Sequence, residues 1–384
     1  MPILNSIADS APLMTAWRRH LHQHPEIGMD CAETAAFVAA RLREMGVDEV
    51  HEGVGRTGVV GIIRGRGEGP AIGLRADMDA LPMPEATGAD WASTRPGRMH
   101  ACGHDGHTTM LLGAAKYLAA TRNFAGTVVL IFQPAEETGE GAKAMLADGL
   151  MDRFGVQTVW GIHTSPQHDL GVFTTRPGPF MAAVGEFDVR VTGRGGHGAY
   201  PQKAADPVAA LLVMGNALQT IVGRNVAAED QAVLSICALE AGAAFNVIPR
   251  EARLRGTIRS FSVETRDLMR RRIREVCEGV AAAMGVSVEV GGTIDLDPTV
   301  NHAAETALAV EVAREVSGAV EIEAHPHMGG EDFGAMLGAR PGAFLFLGQG
   351  KGPMVHETGF DFNDAAAPIG ASFFARLVER VLAG

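Results

Sequence analysis

The sequence predicts an α/β domain that is interrupted by a smaller, inserted α+β domain. Before about residue 180, short β-branched apolar runs alternate with helical patterns, as in a sheet with helices on its faces. Between about residues 183 and 296 the order becomes β-α-β-β-α-β, the split βαβ or ferredoxin-like arrangement. The chain then returns to helix, strand and helix. We therefore expect residues 1–182 and 297–384 to form one domain and residues 183–296 to form the other.

The elements of the first domain follow from their periodicity and from the residues that end them. A first helix is predicted up to Pro25, and a second over residues 33–45, with Gly46 just past its end. Buried strands are predicted at residues 58–63, 71–75, 127–132 and 158–162, with a helix over residues 107–120 between two of them. After the insert we expect a helix at 305–316, a strand at 343–347 and a helix at 365–382.

The inserted domain shows period-2 alternation in its strands and long helical stretches between them. The predicted elements are a strand at 184–192, a helix at 207–222, strands at 232–239 and 252–259, a helix at 264–284 and a strand at 286–290. Such a unit, about 115 residues long, is able to fold by itself.

Composition and charge exclude several classes of function. The net charge of −12 gives the chain no electrostatic footprint for nucleic acid. No apolar run approaches the ~20 residues of a membrane span, and no signal segment is seen at the N-terminus. Four cysteines are too few for a disulfide scaffold and fit a reducing compartment. We therefore expect a soluble, cytoplasmic protein without nucleic-acid or membrane partners.

The strongest chemical signal is the segment His-Ala-Cys-Gly-His-Asp-Gly-His at residues 100–107. One glycine separates Cys102 from His104, so either an extended strand or a bend at Gly103 lets thiolate and imidazole converge. Sulfur and nitrogen donors together suit zinc and similar transition metals. A histidine-rich surface loop without a metal is the alternative for this segment taken alone.

Further candidate ligands stand where predicted strands end, as ligand sites do in α/β sheets. Glu136 and Glu137 follow one strand, His163 ends another, and His356 lies in a later loop. A single glutamate or histidine is more often solvated or structural. Five candidates together provide enough ligands for two ions that share one bridge, namely Cys102, His104, Glu137, His163 and His356.

Two more segments hold polar candidates. Asp77 and Asp79 follow a predicted strand, where each could ligate a metal, orient a ligand or form a strand-terminal turn. In the inserted domain a glycine-rich turn presents His197, and no Lys-Ser/Thr follows, so a P-loop is not supported. Asn246 and Arg259 could contact a carbonyl and a carboxylate, with a plain surface role equally open for Arg259.

Taken in chain order, these segments resemble a known family. Between residues 74 and 333 the sequence contains RADMDALP, MHACGHDGH, FQPAEE, GIH, GRGGHGAYP, NVIP, GTIRSF and GGEDF. With Val355-His356 they resemble the di-metal aminoacylase and carboxypeptidase family. Within it the similarity is to the hippurate hydrolase and N-acyl-amino-acid amidohydrolase branch, which includes the plant hydrolases of auxin–amino acid conjugates. Gly329-Gly330 stands where relatives often show Gly-Ser.

The resemblance implies a role for each matching residue of the first domain. The five candidate ligands match the family's metal ligands, with Cys102 as the bridge. Glu136 matches the general base that takes a proton from water, and Asp79 matches a carboxylate that orients a ligand. Glu331 and Asp332 lie in a family motif near the site.

For the inserted domain the resemblance implies a lid that also mediates dimerisation. His197 matches a residue that stabilises the oxyanion, in relatives across a dimer interface. Asn246 and Arg259 match positions that contact the substrate, including its carboxylate. A homodimer, or a homotetramer, is therefore expected.

The resemblance also implies a fold, a reaction and a cofactor. The fold is a mixed-sheet α/β/α di-metal hydrolase domain with a ferredoxin-like lid. The reaction is hydrolysis of the amide bond of N-acyl amino acids, with two divalent ions that could be manganese, zinc, cobalt or nickel. A metallo-dipeptidase or carboxypeptidase with the same metals is the alternative. A non-catalytic metal-binding protein is disfavoured because Glu136 is intact.

Overall fold

The chain forms two compact units in the computed structural model, which describes residues 3–322 and 325–383. The first unit comprises Met1–Phe180, Thr299–His325 and Asp332–Gly384, and the second comprises Met181–Pro298 and Pro326–Glu331. The second unit thus contains residues 183–296, where the insert is expected, together with a short segment from farther along the chain.

The described residues form twelve α-helices and seventeen strands. The helices are α1 Asn5–Ala8, α2 Ala11–Gln23, α3 Ala32–Glu44, α4 His104–Thr121, α5 Gly141–Ala147, α6 Leu150–Arg153, α7 Pro207–Leu218, α8 Thr220–Asn225, α9 Val263–Met284, α10 Ala303–Val316, α11 Phe333–Ala339 and α12 Ala367–Val381. The strands are β1 Glu49–Val54, β2 Gly58–Arg64, β3 Ala71–Asp77, β4 Thr127–Gln133, β5 Val156–Ser165, β6 Phe173–Thr175, β7 Gly178–Met181, β8 Ala183–Thr192, β9 Gly196–His197, β10 Ala232–Ala241, β11 Val247–Ile248, β12 Glu251–Ser260, β13 Ser287–Gly291, β14 Asp295–Leu296, β15 Thr299–Asn301, β16 Val320–Ile322 and β17 Gly342–Gly348. In the part of the chain that is described, every helix is too short or too polar to cross a bilayer.

An eight-stranded mixed sheet forms the centre of the first unit. Its strand order is β1-β2-β4-β3-β5-β17-β6-β16. β3 runs parallel to β4 and to β5, and β5 runs parallel to β17. β1 and β2 add an antiparallel edge next to β4. The mixed sheet confirms the expectation from the sequence.

Helices cover both faces of this sheet. Alternation along β3 places Leu74 and Arg75 on opposite faces. Leu74 belongs to the same hydrophobic core as Leu111 of α4, whereas the Arg75 guanidinium lies 5.6 Å from the ring centre of Phe333 in α11. The first unit is therefore a three-layer α/β/α structure.

The second unit is an antiparallel sheet packed against helices. The sheet has the order β10-β12-β8-β13, and β14 also pairs with β8. Inward-facing residues such as Phe187 and Leu254 share a core with Met214 of α7 and Ile273 of α9. The elements β8, α7, β10, β12, α9 and β13 follow one another in the predicted β-α-β-β-α-β order.

The predicted helices and strands all have counterparts, and the differences concern short elements. The helix predicted at residues 207–222 consists of two helices, α7 and α8. The sequence missed β1, an edge strand with polar residues on both sides, and several elements of two to seven residues such as β6, β16 and α11. Elements this short have little periodicity of their own and depend on the contacts around them.

Candidate metal centre

The carboxyl ends of three neighbouring strands bring predicted site residues together. β3 lies between β4 and β5 and is parallel to both, so the three strands end at one edge of the sheet. Such an edge is where α/β sheets bind ligands. The residues located there are Asp77 and Asp79 at the end of β3, Glu136 and Glu137 after β4, and His163 in β5.

Cys102 and His104 approach this edge through a sharp bend at Gly103. Gly103 has a left-handed φ of 88°, and a Cβ at this position would lie 2.7 Å from Cγ2 of Thr164. Both features require glycine. Helix α4 begins at His104, three residues earlier than predicted, so of the two geometries left open by the sequence the bend is the correct one.

The predicted ligand atoms converge in two overlapping groups. In each group the ligand atoms all lie within 4.8 Å of one another, and the groups are Cys102, His104 and His163, and Cys102, Glu137 and His356. Sγ of Cys102 is 3.3 Å from Nε2 of His163. Nε2 of His356 is 3.4 Å from Oε1 of Glu137. Because Cys102 belongs to both groups, the arrangement suits two ions that share a bridging thiolate.

His104 is fully buried, and its surroundings favour positive charge. Among the described residues, neither of its ring nitrogens has a hydrogen-bond partner. The nearest oxygen of Asp79 is 3.4 Å from Nδ1, and oxygens of Asp77 and Glu137 lie 3.8 and 3.9 Å from Nε2. Burial lowers the pKa of His104, but these three carboxylates outweigh burial and raise it to about 10. A bound cation would benefit from the same carboxylates.

His163 has the protonation state that a metal ligand needs. Burial holds its pKa well below the usual range, so the ring is neutral. Nδ1 donates to the carbonyl oxygen of Thr164 at 2.6 Å, which leaves the lone pair on Nε2. That lone pair faces the Cys102 thiol.

These residues fit a pair of divalent ions. Buried polar atoms without partners are rare in folded proteins, and the two nitrogens of His104 are of that kind. Thiolate, imidazole and carboxylate donors in one cluster are accepted by zinc and by other transition metals.

Asp79 fixes the loop that carries both glutamates. Its Oδ1 accepts the backbone N–H of Glu136 at 3.0 Å, and its Oδ2 accepts the N–H of Glu137 at 3.2 Å. Burial raises the pKa of Asp79, and the neighbouring His104 opposes that shift. One buried carboxylate therefore holds the loop and faces a ligand ring, which is the geometry expected of a residue that orients a ligand.

Glu136 lies beside the proposed ligands, with a carboxylate oxygen within 4.8 Å of ligand atoms of His104 and Glu137. Its Oε2 is 3.9 Å from Nε2 of His104, and 8% of the residue is exposed. The preceding Ala135 has a φ of 56°, so the chain turns sharply between β4 and Glu136. The carboxylate is thus located at the edge of the centre, where it can exchange a proton with water.

The sequence did not predict the buried ionic network beneath this site. The guanidinium of Arg75 donates to Asp77 at 2.7 Å, to Gln133 at 2.9 Å and to Asp332 at 2.9 Å. Gln133 also donates to Asp332 at 2.8 Å. The network links the ends of β3 and β4 to the start of α11. An arginine inside an otherwise apolar strand is the signal that could have revealed it, because a fully buried arginine needs partners.

The remaining predicted residues belong to the second unit. His197 lies in β9, which pairs with β11 in a two-stranded ribbon, and Asn246 immediately precedes β11. The backbone N–H of Gly198 donates to the carbonyl oxygen of Asn246 at 2.8 Å. Arg259 lies in β12, where its Nε donates to the carbonyl oxygen of Met328 at 3.1 Å. Their contacts with a substrate stay predictions.

Comparison with known proteins identifies the family. Residues 73–380 match Peptidase family M20/M25/M40. The chain belongs to this family. This M20 protein is 41% identical over 384 residues to a protein named hippurate hydrolase from Campylobacter jejuni, with 100% of both chains covered. It is 40% identical over 358 residues to a protein named N-acetyl-L-cysteine deacetylase from Bacillus subtilis, which covers 93% of this chain and 85% of that relative.

A solved structure shares the fold of the M20 protein. The YXEP protein of Bacillus subtilis, a dinuclear metal binding peptidase from the M20 family, superposes with a TM-score of 0.84 at 34% identity. The match covers 98% of this chain and 99% of that one. The M20 protein described here is therefore an amidohydrolase with a mixed α/β fold, as its motifs predict.

Proposed function

We propose that this M20 hydrolase cleaves the amide bond of N-acyl amino acids and releases a carboxylic acid and a free amino acid. The observation that carries the proposal is the convergence of five side chains able to hold two divalent ions, with Glu136 beside them. The proposed ligands are Cys102 as the bridge, His104, Glu137, His163 and His356. The names of the two relatives, a hippurate hydrolase and an N-acetyl-L-cysteine deacetylase, support this substrate class.

Glu136 is the proposed general base. Divalent ions held at this centre would polarise the amide carbonyl and lower the pKa of water. The carboxylate of Glu136 takes up the proton of the attacking water and passes it to the nitrogen of the departing amine. Asp79 accepts hydrogen bonds from the backbone of both Glu136 and Glu137, so the proposed base and its neighbouring ligand keep a fixed spacing.

For the second unit we propose substrate contacts. His197 would stabilise the oxyanion, and Asn246 and Arg259 would contact the substrate, including its carboxylate. The exposed position of His197 next to Asn246 on one ribbon supports this pairing of roles. Arginine supports carboxylate recognition because its guanidinium can bind both oxygens at once.

The metal, the location and the assembly complete the proposal. The mixed donor set is compatible with zinc, manganese, cobalt or nickel. The four cysteines all lie within the described residues and none of them forms a disulfide, which supports a reducing, cytoplasmic compartment. We propose a homodimer, or a homotetramer, through the second unit, where Leu212 and Leu239 are 58% and 59% exposed and suit burial at an interface.

The role of Glu136 is tested by the substitution Glu136→Gln. We expect kcat to fall by at least about 10²-fold, because a general base contributes ~10²–10⁴-fold, while two ions per chain stay bound. Glu140→Gln is the matched control, since Glu140 is an exposed glutamate of the same loop, and it should leave kcat unchanged. A Glu136→Gln enzyme with the kcat of the wild type would refute the assignment.

Metal removal and a substrate panel test the rest of the proposal. A chelator should abolish hydrolysis, and zinc, manganese, cobalt or nickel should restore it; full activity of the metal-free enzyme would refute the two-ion centre. Benzoyl-, acetyl- and indoleacetyl-amino acids should be hydrolysed with higher kcat/KM than unblocked dipeptides. The opposite order would favour a metallo-dipeptidase.

A further inference from the structure

A buried histidine next to the candidate metal centre has both ring nitrogens engaged by the protein itself. His107, in the first turn of α4, is 1% exposed. Its Nδ1 lies 2.6 Å from Oδ1 of Asp77, and the backbone N–H of Thr164 donates to its Nε2 at 2.8 Å. Because a backbone N–H can only donate, Nε2 is the acceptor and Nδ1 carries the proton that it donates to Asp77. These two partners therefore select one tautomer of His107.

The partner of Nε2 connects His107 to a proposed metal ligand. Thr164 follows His163 directly, and its carbonyl oxygen accepts the Nδ1 proton of His163 at 2.6 Å. Thr164 is thus held at its N–H by His107 and in turn holds the ring of His163 through its carbonyl. Rotation of Thr164 would turn Nε2 of His163 away from Sγ of Cys102, 3.3 Å distant.

The other partner, Asp77, is itself fixed from two sides. Nη1 of Arg75 donates to its Oδ2 at 2.7 Å, and the hydroxyl of Thr108 donates to its carbonyl oxygen at 2.8 Å. All three residues are buried. Asp77 is therefore a rigid anchor, and His107 transmits its position to Thr164.

The ring of His107 also packs against two proposed ligands. Its centroid lies 5.3 Å from that of His104 and 4.6 Å from that of His163. We propose that His107 is a positioning residue that orients His163 and supports His104 for metal binding without ligating an ion. The inference rests on the proposed two-ion centre. Loss of a group that orients a ligand typically weakens metal binding ~10–100-fold.

Ligation of a third ion is the competing role for His107. One of its nitrogens lies within 4.8 Å of ligand atoms of Asp77 and His104. Nε2 could bind an ion only if the N–H of Thr164 lost its acceptor, and Nδ1 only if the contact with Asp77 broke. The number of ions bound per chain distinguishes the two roles.

Three substitutions separate the two contacts of His107. His107→Gln places an amide oxygen near the position of Nε2 and keeps an acceptor for Thr164. His107→Asn places an amide N–H near Nδ1 and keeps a donor to Asp77. His107→Leu removes both the acceptor for Thr164 and the donor to Asp77. For each metal-free protein we would measure Co²⁺ dissociation constants by chelator competition, ions per chain and the visible absorption of bound Co²⁺.

We expect His107→Leu and His107→Asn to weaken the binding of at least one Co²⁺ ion ~10–100-fold and to change the cobalt spectrum, with two ions per chain at saturation. His107→Gln should recover most of the affinity, because it restores the contact with Thr164. Thr109→Val is the control: Thr109 lies in the same helix, is equally buried, and its hydroxyl has no hydrogen-bond partner among the described residues. Its affinity and spectrum should match the wild type.

Several results would overturn the positioning role. One such result is a folded His107→Leu protein whose Co²⁺ affinity and cobalt spectrum match the wild type. Another is three ions per chain in the wild type and two in His107→Leu, which would identify His107 as a metal ligand. If His107→Leu does not fold, equal affinities of the glutamine and asparagine variants would contradict the inference. A wild-type protein that binds no divalent ion would refute the metal centre itself, before any variant is compared.

Discussion

Replacing Asp79 by asparagine should slow hydrolysis by disturbing the loop that carries the proposed base and one ligand. Asp79 is buried, and its two oxygens accept the backbone N–H groups of Glu136 and Glu137 at 3.0 and 3.2 Å. Asparagine keeps one oxygen acceptor and turns an NH2 group toward the other backbone donor. Because two donors would then face each other, the loop must move away from this NH2 group, and the two glutamates move with the loop.

The size of the effect follows from the lost hydrogen bond. A hydrogen bond to a charged group contributes about 1.5–3 kcal/mol. If the whole cost falls on the transition state, kcat/KM decreases by roughly 10- to 150-fold, since 1.36 kcal/mol corresponds to tenfold. Removing the negative charge 3.4 Å from Nδ1 of His104 acts in the same direction.

The assay is steady-state hydrolysis of a benzoyl-amino acid, with the bound ions counted in the same samples. Asp206→Asn is the matched control, because Asp206 also accepts two backbone N–H groups, from Val208 at 2.8 Å and Ala209 at 3.2 Å. It caps α7, where asparagine caps a helix about as well as aspartate, so kcat/KM should be unchanged. A kcat/KM equal to the wild type in Asp79→Asn, with both ions bound, would refute the reasoning.

Two further predictions concern stability. Gly106→Ala should destabilise the metal-loaded protein by about 1–3 kcal/mol, because the new Cβ would lie 2.3 Å from the ring of buried Phe362. Its melting temperature should fall below that of Gly113→Ala in the same helix, whose Cβ would meet the flexible end of a methionine 2.6 Å away; equal melting temperatures would contradict this. Burial lowers the pKa of His22, but the charges and hydrogen bonds of Asp105 and Glu85 together outweigh burial, and the net pKa is raised to about 10. Because this pKa exceeds the unfolded value of about 6.5, the stabilisation is complete below pH 6.5 and declines as the pH rises toward 10. The urea concentration at the midpoint of unfolding should fall between pH 6.5 and pH 10 in the wild type, and should fall less in His22→Gln. If the midpoints of both proteins changed with pH in parallel, the stabilising role of the His22–Asp105 pair would be contradicted.

The strands that position the site could be predicted because their own residues determine their burial. β2 to β5 are apolar runs buried on both faces, and such runs are recognisable in a single sequence. Their carboxyl ends carry Glu136, Glu137 and His163, so the common edge could be predicted along with them. β1 could not be predicted in this way, because it is an edge strand partly open to solvent and carries polar side chains on both sides.

The positioning role of His107 could not be predicted, because it depends on strand order. In the sequence, His104 and His107 are two similar candidates in one segment. The pairing of β3 with β5 brings Asp77 and Thr164 to either side of His107 and occupies both of its nitrogens. His104, one helical turn earlier, has carboxylates around it and no hydrogen bond within the described residues. Local pattern carries no information on which strand lies beside which.

A hydrogen-bonded network of buried polar residues supports the candidate metal centre from below and explains how a cluster of metal ligands is compatible with a stable fold. Below the site, Arg75, Asp77, Gln133 and Asp332 hydrogen-bond to one another and tie the ends of β3 and β4 to α11. A buried network of this kind is rigid when its members are paired, and removing one member would leave an uncompensated charge. Above the network, in the candidate metal centre, both ring nitrogens of His104 are without a hydrogen bond within the described residues. Because the backbone beneath the ligands is already fixed, a cation can be bound with little rearrangement, which is the condition for a preorganised site.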